Sequence, residues 1–526
     1  MGAYALIRQV SKRVLIGVAA ASAIAAGVVV ASSYPAHGGH PPGLAAEQVG
    51  GRGVPRGAIA LSLGGAQPGI RPVASGFLGV SLEYSAVERY AGTDPAALNP
   101  VFVNLLSPLA PPGTAVLRIG GDSTDWAWWP VPNVRKPGGV RIVLDSRLAA
   151  ITAALAQRIG ARLILGIDLE ANNQAVAAQE GRQLVNRIGR NQIQALELGN
   201  EPELYGSFSW YRARDGRGVT GRSRAYDPPA FERDFRRIGG ALPKLPLAGP
   251  ATGAPKWMAT LPSFLRSTLG LGVVTLHRYP LQKCYVRTSQ PQYPSVAHLF
   301  APMASQGLAN SVAGYARVAH AHRLPLRIDE MSTISCGNGA VGQSFASALW
   351  MLDALFEMAR VGVDGVNIHS YRGAPYALFD FAHSARGWTG RVYPQYYGML
   401  LFAQAAPAGA QILRVSGHRP ASLHLWATRS PDGIRRLVAI NQDVRHSRQI
   451  ALADPAGATG AAIERLTAPS VNAHGGVRLG GRGFGVSTST GQLGPARSES
   501  VAPEGGRYLV RVPAAGAVML TLPAGG

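Results

Sequence analysis

The sequence predicts a (β/α)8 barrel followed by an antiparallel β-sandwich. Three observations carry this. Eight short apolar runs alternate with helical segments between residues 77 and 369, no convincing helical pattern continues past residue 405, and short alternating runs broken by Gly, Pro and Ser take over after about Gln395. Strand–helix alternation repeated eight times closes most readily into a parallel barrel. An open doubly wound sheet is disfavoured, because no Gly-rich phosphate loop follows the first run.

In chain order the eight runs are Phe77–Glu83, Val116–Gly120, Leu163–Asp168, Ala195–Gly199, Leu245–Ala248, Val273–His277, Leu326–Asp329 and Gly365–His369. The fifth is short and holds Pro246, which cannot donate to a ladder. Between them, Ser146–Ile159, Glu180–Ile188 and Phe345–Val361 show helical spacing. The later strands are read at Ser422–Thr428, Arg436–Ile440, Gln449–Leu452, Ala462–Leu466, Tyr508–Val512 and Ala517–Leu522. Gly57–Leu63 also reads as a strand. The expected domains are therefore an N-terminal targeting segment (1–31), a Gly/Pro/Ala-rich linker (32–56), a barrel (57–394, with 57–75 a candidate to join the sandwich) and a sandwich (395–526).

The 526 residues are 47% hydrophobic and only 15% charged, as in a packed globular protein. The net charge of +22 comes from 46 Arg and 5 Lys spread along the chain. With no zinc-finger spacing, basic helix or aromatic RNA-binding motif, nucleic acid is not an expected partner. The charge suits anionic surfaces or glycans, and an Arg-favouring codon bias accounts for it equally well. Arg8, Lys12 and Arg13 precede an uncharged run from Val14 to Ala31, which reads as an export signal or, failing cleavage, a membrane anchor. A secreted or cell-envelope protein is expected. Cys284 and Cys336 are the only cysteines, each a few residues beyond a strand, and an even pair in an exported chain suggests one disulfide.

The chemistry is concentrated at strand ends. Leu196–Glu197–Leu198 runs into Gly199–Asn200–Glu201–Pro202, and the Pro ends the extended segment so that Glu201 projects at its C-terminal end. That end is where barrel active sites form. Glu330, ending the seventh strand, points into the same mouth. Two carboxyls facing one space suit glycoside cleavage, one as acid/base (Glu201) and one as nucleophile (Glu330). Asp329 is expected on the opposite face, with a structural role. Asp122, Asp125 and three tryptophans follow the second strand; His277 and Tyr279 end the sixth, and His369 and Tyr371 the eighth. Carboxylates, amides and rings at one barrel face suit a sugar, whose hydroxyls want bidentate partners and whose C–H faces stack on rings. No Gly-x-Ser-x-Gly elbow or His-Glu-x-x-His motif is present, and the histidines lack metal-ligand spacing.

Phe77–Ser85, Leu117–Asp125, Glu197–Pro202, His277–Pro280 and Glu330 with Ile334–Gly337 together resemble retaining glycosidases of clan A, and within it glycoside hydrolase family 79, the β-glucuronidases and heparanase-like enzymes. The resemblance spans about residues 57–526. It implies Glu201 as acid/base, Glu330 as nucleophile, Asn200 as partner of the sugar 2-hydroxyl and Tyr279 as the residue orienting the nucleophile. It implies no metal and no organic cofactor. The substrate it implies is a uronic-acid-containing carbohydrate, its carboxylate held near Gly337–Asn338–Gly339, a candidate anion nest. Met331 departs from the polar or aromatic residue the family leads one to expect after the nucleophile. The expected function is a retaining β-glucuronidase. The alternatives are a related hydrolase of neutral β-glycosides and a non-catalytic glycan-binding surface protein.

Overall fold

The computed structural model describes residues 54–337, 340–453, 460–495, 497 and 499–524. The expected targeting segment and nearly all of the expected linker lie outside them. Among the described residues no helix is long and apolar enough to cross a membrane.

Strand β1 (Ala58–Ala66) leads into the barrel strands β2 (Leu78–Glu83), β3 (Ala115–Gly120), β4 (Ala161–Ile167), β5 (Ile193–Leu198), β6 (Leu247–Thr252), β7 (Leu271–Arg278), β8 (Leu326–Met331) and β9 (Gly365–Ser370). These eight form a closed parallel barrel, each paired with its sequence neighbours and β9 closing on β2. Seven lie within two residues of their sequence-read positions. The fifth is displaced: it begins at Leu247, after Pro246, and accommodates Pro250 in its interior. The missing Pro donor coincides with a break in register between Pro250 and Thr252, where Ala251 takes a left-handed φ of 53°. That irregularity is used, because the Ala251 carbonyl accepts from the Glu201 amide at 2.9 Å.

Alternation along the strands sorts residues into layers. Val116, Ile164, Ala195, Ala248 and Val273 meet inside the barrel as an apolar plug. Two residues further along β3 and β5 come Arg118 and Glu197, both fully buried. Leu117, Leu163, Leu165, Leu196 and Leu198 face outward into the large core beneath the helices. Asp329 was expected to point outward, and the structure corrects this. In the β7–β8 pairing Leu276 faces Ile328 but His277 faces Glu330, so a bulge at Asp329 breaks the alternation and turns both acidic residues inward.

The helix Pro394–Ala405 follows the eighth barrel strand, after a hairpin of β10 (Phe379–Ser384) and β11 (Gly387–Val392). The sequence boundary at residue 395 therefore moves to the end of this helix. Its apolar residues point in every direction because it is buried all round, and this hid its helical period. Beyond it lie β12 (Gln411–Ser416), β13 (Leu423–Arg429), β14 (Arg435–Asn441), β15 (Arg448–Ala453), β16 (Ala461–Thr467), β17 (Arg507–Val512) and β18 (Gly516–Leu522). Among the described residues these strands and β1 form the expected C-terminal β domain as one ten-stranded sheet, ordered β16-β18-β14-β13-β12-β1-β15-β17 with two short strands beside β16. It is antiparallel except where β1 pairs in parallel with β15. It curls around a single core containing Leu61, Leu425, Leu437, Ile450, Val510 and Leu520.

Successive β14 residues serve two cores: Leu437 and Ala439 face the curled sheet's interior, while Val438 and Ile440 face the barrel helices. There Trp426 stacks on Phe356 with centroids 5.3 Å apart, and its Nε1 donates to Asp353 Oδ1 at 2.9 Å. The β domain is thus packed onto the helix Phe345–Arg360 that precedes the eighth barrel strand.

Candidate active site

A cavity of about 880 Å³ opens at the C-terminal end of the barrel. Its floor is a polar layer built around Arg118. The guanidinium donates to Glu197 at 2.6 Å, Glu330 Oε2 at 2.7 Å and Asn200 Oδ1 at 2.9 Å, and lies 3.1 Å from Asp329. Burial and the Glu197 charge raise Asp329 well above the usual carboxylate range. Burial works against ionised Glu197 as well, but there Arg118 outweighs it.

Glu330 receives Tyr279 OH on Oε1 at 2.7 Å and Arg118 on Oε2. Burial alone would raise its pKa; His369, His277, Arg118 and the Tyr279 hydroxyl together outweigh burial and hold it well below the usual carboxylate range.

Glu201 is differently placed. Gly199, with φ of 81°, turns the chain out of β5, and a Cβ there would lie 2.5 Å from Tyr205 OH, so glycine is required. Glu201 itself sits in the left-handed region at φ 46°, a strained conformation for a residue with a side chain. Pro202 then starts a short 3₁₀ turn. The Glu201 side chain is 24% exposed against 10% for Glu330. His277 Nδ1 lies 3.1 Å from Glu201 Oε1 and 3.9 Å from Glu330 Oε2. Burial lowers the His277 pKa, yet Glu330, Asp329 and the bond to Glu201 outweigh it and push it up to about 10. Each of Glu201, His277 and Glu330 offers an atom within 4.8 Å of the others'. A cation would find these donors already engaged with one another, with Arg118 and with Tyr279.

The remaining expected residues separate by what they touch. Asn200 lines the cavity; its Oδ1 accepts from Arg118, and its Nδ2 donates to Asp122 Oδ1 across a long 3.5 Å. Asp122 is exposed in the mouth. Asp125 was expected to bind substrate, but its oxygens are spent on the scaffold. Oδ1 accepts the Leu169 and Glu170 amides, and Oδ2 accepts the Asn200 amide and Tyr205 OH. Burial raises its pKa to about 6 against the pull of these donors. Tyr371 lines the cavity beside Tyr376. Gly337 has φ of 79° and packs on the Lys283 side chain at the rim, outside the cavity lining, whereas Ser335 and Cys336 line it. Asn338 lies outside the described residues. Cys284 and Cys336 are free thiols, which corrects the expected disulfide. The loops after β7 and β8 are joined instead by backbone, through Lys283 N to Cys336 O at 3.1 Å, and Cys284 N donates to Cys336 Sγ at 3.3 Å.

Sequence reasoning assigned no role to four contributors. Arg118 and Glu197 carried a signal: each is a charge at the interior position of an apolar barrel strand, and such a charge must be paired. Glu83 ends β2, accepts the Asp122 and Ser123 amides and lies 3.2 Å from His369 Nε2. Tyr376 packs on Tyr279 at 5.7 Å, from a loop with no distinguishing pattern.

Residues 425–519 match the glycosyl hydrolase family 79 C-terminal beta domain. No curated protein sequence matches the chain. Among solved structures, a 4-O-α-L-rhamnosyl-β-D-glucuronidase from Fusarium oxysporum, in complex with Rha-GlcA, is similar with a TM-score of 0.67 at 19% identity, over 88% of this chain and 100% of that one. A family 51 arabinofuranosidase from Xanthomonas axonopodis pv. citri aligns with a TM-score of 0.60 at 15% identity, over 89% and 100% of the two chains. A family 51 α-L-arabinofuranosidase from Bifidobacterium longum aligns with a TM-score of 0.59 at 13% identity, over 88% and 99%. The chain thus shares the fold of these solved glycoside hydrolases, and residues 425–519 are similar to the glycosyl hydrolase family 79 C-terminal beta domain.

Proposed function

We propose that the protein is a retaining β-glycosidase that releases terminal β-glucuronic acid from glycans or glycosides. The observation that carries the mechanism is the close approach of the two carboxyls, with an oxygen of Glu201 and one of Glu330 within 4.8 Å. Double displacement uses carboxyls about 5–5.5 Å apart, whereas inversion needs about 6.5–9.5 Å to admit a water between them. Glu330 attacks the anomeric carbon while Glu201 gives a proton to the glycosidic oxygen. Water then enters on the Glu201 side, loses a proton to it and displaces Glu330. Tyr279 and Arg118 each hold one Glu330 oxygen, which fixes the attacking geometry and stabilises the carboxylate as it leaves. His277 shares a proton with Glu201 across 3.1 Å, and Asn200 offers its amide to the sugar 2-hydroxyl.

The glucuronide part of the reading is supported by the family of the matched β domain and by the substrate named for the Fusarium enzyme. One observation favours neutral β-glycosides instead: seven acidic side chains line the cavity against a single guanidinium, Arg278. Turnover of paired aryl β-glucuronide and β-glucoside substrates separates the two. A glucuronide preference of at least tenfold in kcat/KM supports the proposal, and a glucoside preference overturns its specificity. The basic-then-apolar N-terminus supports export, tested by N-terminal sequencing of protein recovered outside the cell.

A further inference from the structure

The cavity has two chemically different regions. Around Glu330 the wall is polar and phenolic, with Asn200, Tyr279, His369 and Tyr371. On the arc from β5 to β7 exposed apolar side chains stand among polar ones such as Glu203, Arg278 and Gln282. Of the seven large hydrophobic side chains exposed among the described residues, three line this one cavity: Phe208 at 44%, Tyr285 at 65% and Met303 at 39%. Isolated exposed apolar side chains are ordinary, but three gathered in one cavity mark a binding surface.

Phe208 and Tyr285 come from different loops, after β5 and after β7, and meet edge to face with centroids 6.0 Å apart. Just after the strand between them, β6, the residues Gly253, Ala254 and Pro255 line the wall. Gly253 sits beside the acid, since a Cβ there would lie 3.8 Å from Glu201 Oε1. The aromatic pair therefore bridges the side of the cavity on which Glu201 stands. Both loops are anchored. Phe208 N donates to Leu204 O at 3.0 Å, and the Tyr285 loop is tied to the loop after β8 through Lys283 N and Cys336 O.

We infer that Phe208 and Tyr285 form the leaving-group subsite, which takes the flat face of a ring attached beyond the glycosidic oxygen. This rests on Glu201 being the acid: a proton delivered from Glu201 reaches the glycosidic oxygen from the side the departing group occupies. The ring is either an aromatic aglycone or the next pyranose, and both present the same flat apolar face to an aromatic side chain.

The test measures kcat/KM of wild type, Phe208→Ala, Tyr285→Ala and the double variant on three substrates sharing the glycone that wild type hydrolyses. These are the glycosyl fluoride, whose leaving group has no ring, the 4-methylumbelliferyl glycoside and a disaccharide. The expected result is a fall of about three- to tenfold per substitution in the ratio of ring-bearing substrate to fluoride, with Phe208→Trp restoring it. A fall on the aryl substrate identifies an aglycone site, and a fall on the disaccharide identifies a sugar site. Equal losses on all three substrates overturn the subsite. Failure of wild type to hydrolyse the fluoride overturns the glycosidase reading itself, which keeps the two failures apart.

Discussion

Replacing His277 by Gln removes an imidazolium enclosed by Glu201, Glu330 and Asp329 with Arg118 nearby, while leaving a donor of similar reach toward Glu201. The imidazole is 1% exposed and its pKa is pushed from 6.5 to about 10 in the fold. A histidine whose folded pKa exceeds its unfolded value contributes stability that is complete below pH 6.5 and lost as the pH rises through about 10. At 1.36 kcal/mol per unit, the contribution is about 4 kcal/mol at pH 7 and nearly gone at pH 10. Urea unfolding of both proteins at pH 7, 8, 9 and 10 measures it. Wild type should lose about 3–4 kcal/mol more than H277Q across that range, with the two curves converging near pH 10. Parallel curves would refute the claim that a charged His277 holds the carboxyls together.

Glu330→Gln should cut kcat on a good aryl substrate by on the order of 10⁴-fold or more, because no other carboxylate is positioned to attack. Glu201→Gln should cost about 10²–10⁴-fold on substrates with poor leaving groups and much less on those that need no proton, read from a leaving-group series. Arg118→Met leaves buried carboxyls without their cation and should destabilise the fold by about 3–5 kcal/mol, measured by denaturant titration. Trp426→Ala empties the contact with Phe356 and strands Asp353 Oδ1, which should cost about 3–5 kcal/mol while kcat/KM at low temperature stays near wild type.

The barrel was legible because its strands are largely apolar runs, buried on both faces as parallel sheets require, with polar residues concentrated where the runs end. Glu201 and Glu330 were legible for the same reason. The features that escaped are those in which one element departs from its own period. The bulge at Asp329 turns two adjacent acids inward, and nothing in Leu326–Met331 marks it. Strand β6 was misplaced because Pro250 sits inside it, where the ladder tolerates the loss of a donor only through irregular register. The helix Pro394–Ala405 is apolar all round, and β12 lies in a stretch too mixed to read as an alternating strand. Asp125 shows the other limit. Composition places an acid at the mouth, but only coordinates reveal that four donors already occupy its oxygens.

Double displacement requires that Glu330 become covalently bonded to the sugar during turnover. A 2-deoxy-2-fluoro glycosyl fluoride of the glycone that wild type hydrolyses slows the second step more than the first and so accumulates the intermediate, read by peptide mass spectrometry. The account predicts stoichiometric inactivation with the sugar mass on the peptide containing Glu330. An unlabelled enzyme that still turns over its substrate, or a label on Glu201, would contradict it.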